Sequence, residues 1–267
     1  MPRKPDELFR STAAYYARYR AGYPPPLFEH LAARFALDHT QTVLDLGCGT
    51  GQLAIPLSRH VARVLAVDPE PAMLDEGAHL AAERGAANIA WIRGDSYHLD
   101  ELGLPALDLV TMGAAFHWMD REATLDRLDQ LVVPGGAVVI ASGGAPATKT
   151  PAPWEHTITT VRTKYLGTAR RAGSGTYTHP TEGHTEILRR SPFSHIETRE
   201  WTWTLQRDLD SIIRLQFSYS YSAPAQFSDE HQRQAFENEL REALSDQFPG
   251  DTVTEQIRTE ALIATRP

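Results

Sequence analysis

Apolar and polar positions change rhythm twice along the chain. Between residues 42 and 142, short apolar runs alternate with stretches of helical periodicity. Thr42–Leu46, residues 64–67, Ile89–Arg93, residues 107–112 and residues 136–142 read as strands. Residues 52–59, 71–82 and 120–131 read as helices between them. Near-continuous apolar strands separated by helices predict an α/β fold, with a doubly wound, mostly parallel sheet covered on both faces. Ahead of this region, residues 5–20 read as a helix that Gly22-Tyr23-Pro24-Pro25-Pro26 stops, because proline removes a donor and restricts the residue before it. Leu27, Leu31 and Phe35 then recur at helical spacing.

After Ser142 the alternation ends. Residues 143–153 are rich in Gly and Pro, and residues 154–192 hold one or two short helices. Residues 195–205 read as a strand with Trp201 and Trp203 on one face, residues 208–217 and 229–247 as helices, and residues 259–265 as a closing strand. The expected organisation is N-terminal helices over 1–40, a core from 41–142 and 195–267, and an inserted helical lid over 143–194. Residues 206–230 are expected to add to the cover.

Composition narrows the picture. Apolar residues at 42% and charged residues at 22% are enough for a large core and exclude wholesale disorder. With 26 Lys and Arg against 34 Asp and Glu, the net charge is −8. This lacks the basic footprint of a nucleic-acid binder and offers no polybasic patch to an anionic membrane. The single cysteine, Cys48, cannot form an internal disulfide or a multi-cysteine zinc site. His156, His179, His184 and His195 match no compact ligand spacing, so no metal is expected. No apolar h-region opens the chain, and no window approaches the roughly 18 apolar residues of a spanning helix. The expectation is a soluble, cytoplasmic protein, with a homodimer as the base-rate assembly.

The chemistry is carried by Asp45-Leu-Gly47-Cys48-Gly49-Thr50-Gly51. An acid sits near the carboxyl end of a strand, and glycines at alternate positions precede a helix, allowing close approach of a ligand to the backbone. The dinucleotide fingerprint Gly-x-Gly-x-x-Gly fails at Gln52 and Ala54.

This run closely resembles the first motif of the class I S-adenosylmethionine-dependent methyltransferases. Further motifs follow in order: Val67-Asp68-Pro69, Pro71-Ala-Met73-Leu, Gly94-Asp95-Ser96, Asp108-Leu-Val110, and Leu131-Val-Val-Pro-Gly-Gly136. The resemblance covers about residues 42–142 and implies a seven-stranded Rossmann-like methyltransferase fold, with S-adenosyl-L-methionine as the cofactor. It places Asp68 on the ribose hydroxyls, with Pro69 beside it. Met73 falls under the adenine, and Asp95 accepts from the adenine amino group beside Ser96. Asp45, Gly47, Cys48, Gly49, Gly51 and Ala114 complete the cofactor set.

On the acceptor side, the resemblance puts Gly113-Ala114-Ala115-Phe116-His117-Trp118 next to the transferred methyl, and is closest to ubiquinone-type and small-molecule tailoring enzymes. His117 is the imidazole of this loop, of a residue type that titrates near neutral pH. It is the candidate general base, or else it shapes the loop through backbone hydrogen bonds. Phe116 and Trp118 are candidate pocket walls. Relatives carry a segment like Tyr15-Tyr16-Ala-Arg18-Tyr19-Arg20-Ala-Gly22-Tyr23-Pro24 folded over the donor. Here Tyr15 or Tyr16 is expected to close on the sulfonium, and Arg20 to pair with the methionyl carboxylate. Tyr16 joins His117 as a catalytic candidate, and Tyr19, Tyr219 and Tyr221 as substrate contacts. Phe217-Ser-Tyr219-Ser-Tyr221 alternates, and its aromatics share one wall if the segment is extended. Together with Trp154, Tyr165, Tyr177 and Phe227, they suit a flat or mixed apolar molecule.

The expected reaction is in-line methyl transfer to a small molecule, preferably a secondary metabolite methylated on N or O rather than C. Proximity supplies most of the rate. The alternatives are a cofactor-binding relative that transfers no methyl, such as a cyclase or sensor, and a ubiquinone- or menaquinone-type C-methyltransferase.

Overall fold

The computed structural model describes residues 9, 11–146, 152–172, 175–176, 180–248 and 252–267; Tyr177 and His179 lie outside them. The chain begins with α1 (Ala13–Tyr19), α2 (Pro25–Arg34), β1 (Thr42–Leu46), α3 (Ala54–Leu57), β2 (Arg63–Asp68), α4 (Pro71–Glu83) and β3 (Ile89–Arg93). It continues through β4 (Leu107–Gly113), α5 (Arg121–Leu131), β5 (Val132–Ala141), β6 (Ala145–Pro146), α6 (Pro153–Leu166), β7 (Arg171–Ala172) and β8 (Gly175–Thr176). It ends with α7 (His184–Arg189), β9 (His195–Asp208), α8 (Leu209–Gln216), α9 (Glu230–Ser245) and β10 (Thr252–Thr265).

Two compact units result. The sheet unit comprises Gly22–Gly144, His179–Trp201 and Thr259–Pro267; the helical unit comprises Met1–Ala21, Ala145–Thr178 and Thr202–Arg258. Against the expected partition, residues 202–258 group with the helical unit instead of the core, and residues 179–194 group with the sheet unit. They group with the sheet unit because Ile187, Leu188 and Phe193 are buried in the same apolar cluster as Leu107 and Val138.

In the sheet unit the strands follow the order β3-β2-β1-β4-β5-β10. β1 pairs parallel to both β2 and β4, and β10 runs antiparallel to β5. The fold is the doubly wound α/β sheet that the strand–helix alternation implies. Its period-2 pattern feeds two cores. Leu44, Leu46, Leu65 and Val67 enter one cluster, and Val43, Val64 and Ala66 the other. A crossover lies between β2 and β4 on either side of β1, and such a switch point opens a crevice beyond the carboxyl ends of the strands.

β5 begins earlier than expected. The strand is expected to open at Gly136, yet it runs through Pro134-Gly135-Gly136 with a register shift opposite Leu107 and Leu109, and with Gly135 at φ +83°. α1 is shorter than expected among the described residues; Ser11 at φ +66° interrupts a helical path ahead of Ala13. α3 is a single turn instead of the two expected over 52–59.

α4 shows how local chemistry sets the sheet unit's layers. Pro71 starts it, the Glu70 side chain accepts from Ala72 N, and Met73, Leu74, Gly77 and Ala81 form its buried side. Gly77 is buried beneath the Trp91 indole. A Cβ there would lie 2.4 Å and 2.5 Å from two ring carbons. Gly77→Ala gains about 1 kcal/mol of helix propensity but incurs overpacking of about 1–3 kcal/mol. The expected result is a lower urea midpoint at unchanged slope; a raised midpoint would show that the ring yields freely.

The helical unit packs Ile158 and Val161 of α6, Ile212 and Ile213 of α8 and Phe236, Leu240 and Leu244 of α9 into one cluster with Phe217 and Phe227. Here residues Ile257 and Arg258 of β10 pair with β6, and Gln206 donates to the Thr254 hydroxyl. The polar alternation of residues 252–258 hides this part of β10 from the sequence. Among the described residues, no helix is long and apolar enough to cross a membrane.

Candidate active site

The carboxyl ends of β1, β2 and β4 carry the acids and glycines that the motif singles out. Asp45 is 1% exposed. One of its oxygens accepts from Ala54 N at 3.0 Å and the other from the Thr111 hydroxyl at 2.9 Å. Thr111 is its registered neighbour on β4. Asp45 therefore ties two strands to the first turn of α3. Burial pushes its carboxyl up to about 7, against the lowering effect of both bonds.

Asp68 ends β2. Its two oxygens accept from Gly49 N at 2.9 Å and Glu70 N at 3.0 Å. Burial pushes it up to about 6. Two lone-pair sites remain on the carboxylate for hydroxyl donors.

The glycine loop is held from within. Gly47 N and Cys48 N both donate to Val67 O, and Gly51 N donates to Cys48 O. With Gly49 N on Asp68, these amides are already engaged, so the cradle open to a ligand is narrower than the glycines imply. The loop's unsatisfied group is Thr50. Its residue is 1% exposed and its hydroxyl has no partner. An orphaned buried hydroxyl beside a ribose-competent carboxylate fits a polar cofactor. Gly47, Gly49 and Gly51 all have positive φ. The space beside Gly51 is filled by Trp91 and Ile55, which makes that glycine a packing requirement.

Cys48 is buried, and burial, then Asp68 and Asp45, push its thiol well above its ordinary range. It fills the loop as a small thiol and supplies no thiolate. Pro69 is half-buried and Met73 is buried. Asp95 accepts from Tyr97 N, His98 N and His98 Nδ1, organising its own turn. Ser96 is buried beside it.

Beyond β4, Ala114 adopts φ +50° and its N–H donates to Ala141 O. A non-glycine residue in the left-handed region at a strand end marks a constrained loop. Phe116 is 1% exposed and packs into the core with its ring 5.1 Å from His184. His117 and Trp118 are half-buried with ring centroids 4.9 Å apart. Tyr23 belongs here too. A Cβ on Gly113 would meet its hydroxyl at 2.5 Å. Thr50 and Thr111 were not singled out from the sequence, and Tyr23 was named only as part of the segment expected over the donor. The interposed Thr between Gly49 and Gly51 was the available signal for Thr50; Thr111 needs the tertiary structure.

The remaining candidates lie in the helical unit. The Tyr15 ring packs on Phe217 at 5.2 Å and Tyr19 at 6.3 Å, facing that unit's core. Tyr16 faces Arg20, whose guanidinium lies 4.9 Å from the Tyr16 ring centroid and 4.1 Å from that of Tyr219. Tyr219 and Tyr221 stack at 5.2 Å with 10° between planes. The segment is neither an extended wall nor a continuation of α8. The helix ends at Gln216, and residues 220–222 form a 3-10 turn. Among the described residues no group of His, Cys, Asp and Glu is arranged to hold a metal.

Residues 43–136 match the family described as a methyltransferase domain. An uncharacterised methyltransferase of Mycobacterium tuberculosis is 27% identical over 220 residues, 82% of this chain and 79% of that protein. A second from the same organism is 37% identical over 109 residues, 40% of this chain and 53% of its own length. In fold, a putative type II methyltransferase from Anaeromyxobacter dehalogenans matches 93% of this chain and 97% of its own, with a TM-score of 0.57 at 20% identity.

Proposed function

Starting from a chain that is a class I methyltransferase with S-adenosylmethionine as methyl donor, we propose that it methylates nitrogen or oxygen of a small molecule, with His117 receiving the acceptor's proton. The observation that carries this reading is the loop after β4. A Cβ on Gly47 would lie 2.6 Å from the Ala115 Cβ, so the loop bearing His117 packs directly on the glycine loop.

When bound, the cofactor supplies an electrophilic methyl group on a sulfonium. Asp68 orients it by accepting from the ribose hydroxyls, and the Thr50 hydroxyl gains the partner it lacks. Transfer to an acceptor's lone pair would leave the carbon–sulfur bonding pair on sulfur, so the protein's residues would have only to align donor and acceptor and take up a proton. A ring nitrogen of His117 takes the proton that an N–H or O–H acceptor must lose. Trp118 beside it restricts water. Holding the reactants in line is worth roughly 7–11 kcal/mol, and a positioned base adds about 10²–10⁴-fold.

Incubation with methyl-labelled cofactor and a panel of amines and phenols tests this reading. A labelled small-molecule product is expected, and His117→Ala should lower turnover by about 10²–10⁴-fold while cofactor affinity stays close to wild type. Tight cofactor binding with no labelled product from any acceptor would favour a non-transferring relative. Undiminished turnover in His117→Ala would reduce that residue to a structural role.

A further inference from the structure

We propose that Arg20, Arg162 and Arg170, gathered around the Tyr219–Tyr221 stack, form an oxyanion site within the helical unit that recognises the carboxylate or phosphate of a flat small molecule. All five residues belong to the helical unit. The inference concerns that unit alone and stands apart from the methyl-transfer reading.

Three guanidinium groups converge on two rings. Arg20 lies over Tyr219 at 4.1 Å, and Arg170 and Arg162 lie over Tyr221 at 5.1 Å and 5.5 Å. Among the described residues no Asp or Glu pairs with any of the three. Elsewhere in the same unit, Arg207 holds Glu255, Arg214 and Arg241 hold Asp210, Arg233 holds Glu230, and Lys164 holds Glu239. Aromatic faces stabilise a cation only modestly, and gathering like charges is unfavourable unless an anion joins them.

Donors also remain to be satisfied. Arg20 gives one nitrogen to Ser218 O, but its Nε is buried without a partner. Arg162 is 6% exposed and donates to Gly167 O. Burial, and then the neighbouring Arg170, lower its proton affinity. Burial pushes the Tyr221 hydroxyl up to about 12, so it stays protonated and able to donate. Guanidinium forks match carboxylate and phosphate oxygens in geometry, and the ring stack beside them suits a flat apolar body.

Calorimetric titration of benzoate, phenyl phosphate and neutral benzamide into the full chain tests the proposal. The two anions should bind and benzamide should not; the stronger of the two identifies which oxyanion the site takes. Arg170→Gln should weaken anion binding about tenfold, the scale of one charge-assisted hydrogen bond, and Arg162→Gln should do the same. Arg170 is exposed, so its replacement tests the site even where Arg162→Gln fails to fold. Equal binding of benzamide and benzoate, or unchanged anion affinity in Arg170→Gln, would overturn the proposal. A parallel loss of cofactor affinity would also overturn it, by assigning the arginines to the donor's carboxylate. Anion selectivity in a chain that transfers no methyl would overturn the transferase reading and leave the oxyanion site standing.

Discussion

Asp68→Ala is expected to weaken cofactor binding by about 10–100-fold, because hydrogen bonds to a charged group contribute about 1.5–3 kcal/mol. The side chain ends β2 and is 9% exposed, with two of its lone-pair sites already engaged by Gly49 N and Glu70 N. Its free sites are the ones proposed for the ribose hydroxyls. The same residue sets a pH dependence. Burial raises its folded carboxyl to about 6, and hydroxyl donors favour the ionised form. Cofactor affinity should therefore rise with pH through about 6 and level off above it.

Folding stability runs the other way. A carboxyl raised above its unfolded value of about 3.9 contributes stability that is complete below that value and lost as pH rises through about 6. Asp68→Asn keeps the shape but removes the titration, so it should bind weakly with a flat profile from pH 5 to 8. Calorimetry across that range checks both outcomes. Wild-type affinity that does not change with pH, or an Asp68→Ala variant that binds like wild type, would remove Asp68 from the ribose assignment.

The strand ends were legible because their signal is local. Thr42–Leu46 and Ile89–Arg93 are apolar runs bounded by turn residues, and both strands have the expected limits. The motif acids are likewise found within a few residues of their strands. What they bind internally is not local. Asp45 meets Thr111 from 66 residues away, and no periodicity reports that pairing. The first half of β10 is mostly polar, with Val253 and Ile257 as its apolar residues, and its partners are met only when the chain folds. Thr50 lies between two glycines, and only the tertiary structure shows that its buried hydroxyl is unpartnered. The arginine cluster is the extreme case. Arg20, Arg162 and Arg170 come from three stretches of sequence that share no motif, and only their common approach to Tyr219 and Tyr221 makes them a group.

Gly47→Ala should be among the most destabilising single-methyl additions in the sheet unit, and comparison with Gly103→Ala shows why. Both glycines have positive φ, +71° at Gly47 and +59° at Gly103. A left-handed backbone costs an L-residue about 1–2 kcal/mol, and that is the whole expected cost at Gly103, where a Cβ would have nothing within 4 Å. At Gly47 the Cβ would stand 2.6 Å from the Ala115 Cβ and 3.4 Å from Met119 Cε, adding overpacking of about 1–3 kcal/mol. The sum is about 2–5 kcal/mol, a large share of a domain's net stability. Relief requires the glycine loop and the loop carrying His117 to move apart, because each is fixed on its far side: Gly47 N and Cys48 N are bonded to Val67 O, and Ala114 N to Ala141 O. Separation would also disturb the geometry on which methyl transfer depends. Thermal unfolding of the two variants should therefore show the larger loss for Gly47→Ala, and turnover should fall in that variant alone at temperatures where both are folded. Equal losses of stability would mean that Ala115 yields at no cost, and that only the backbone conformation requires glycine at position 47.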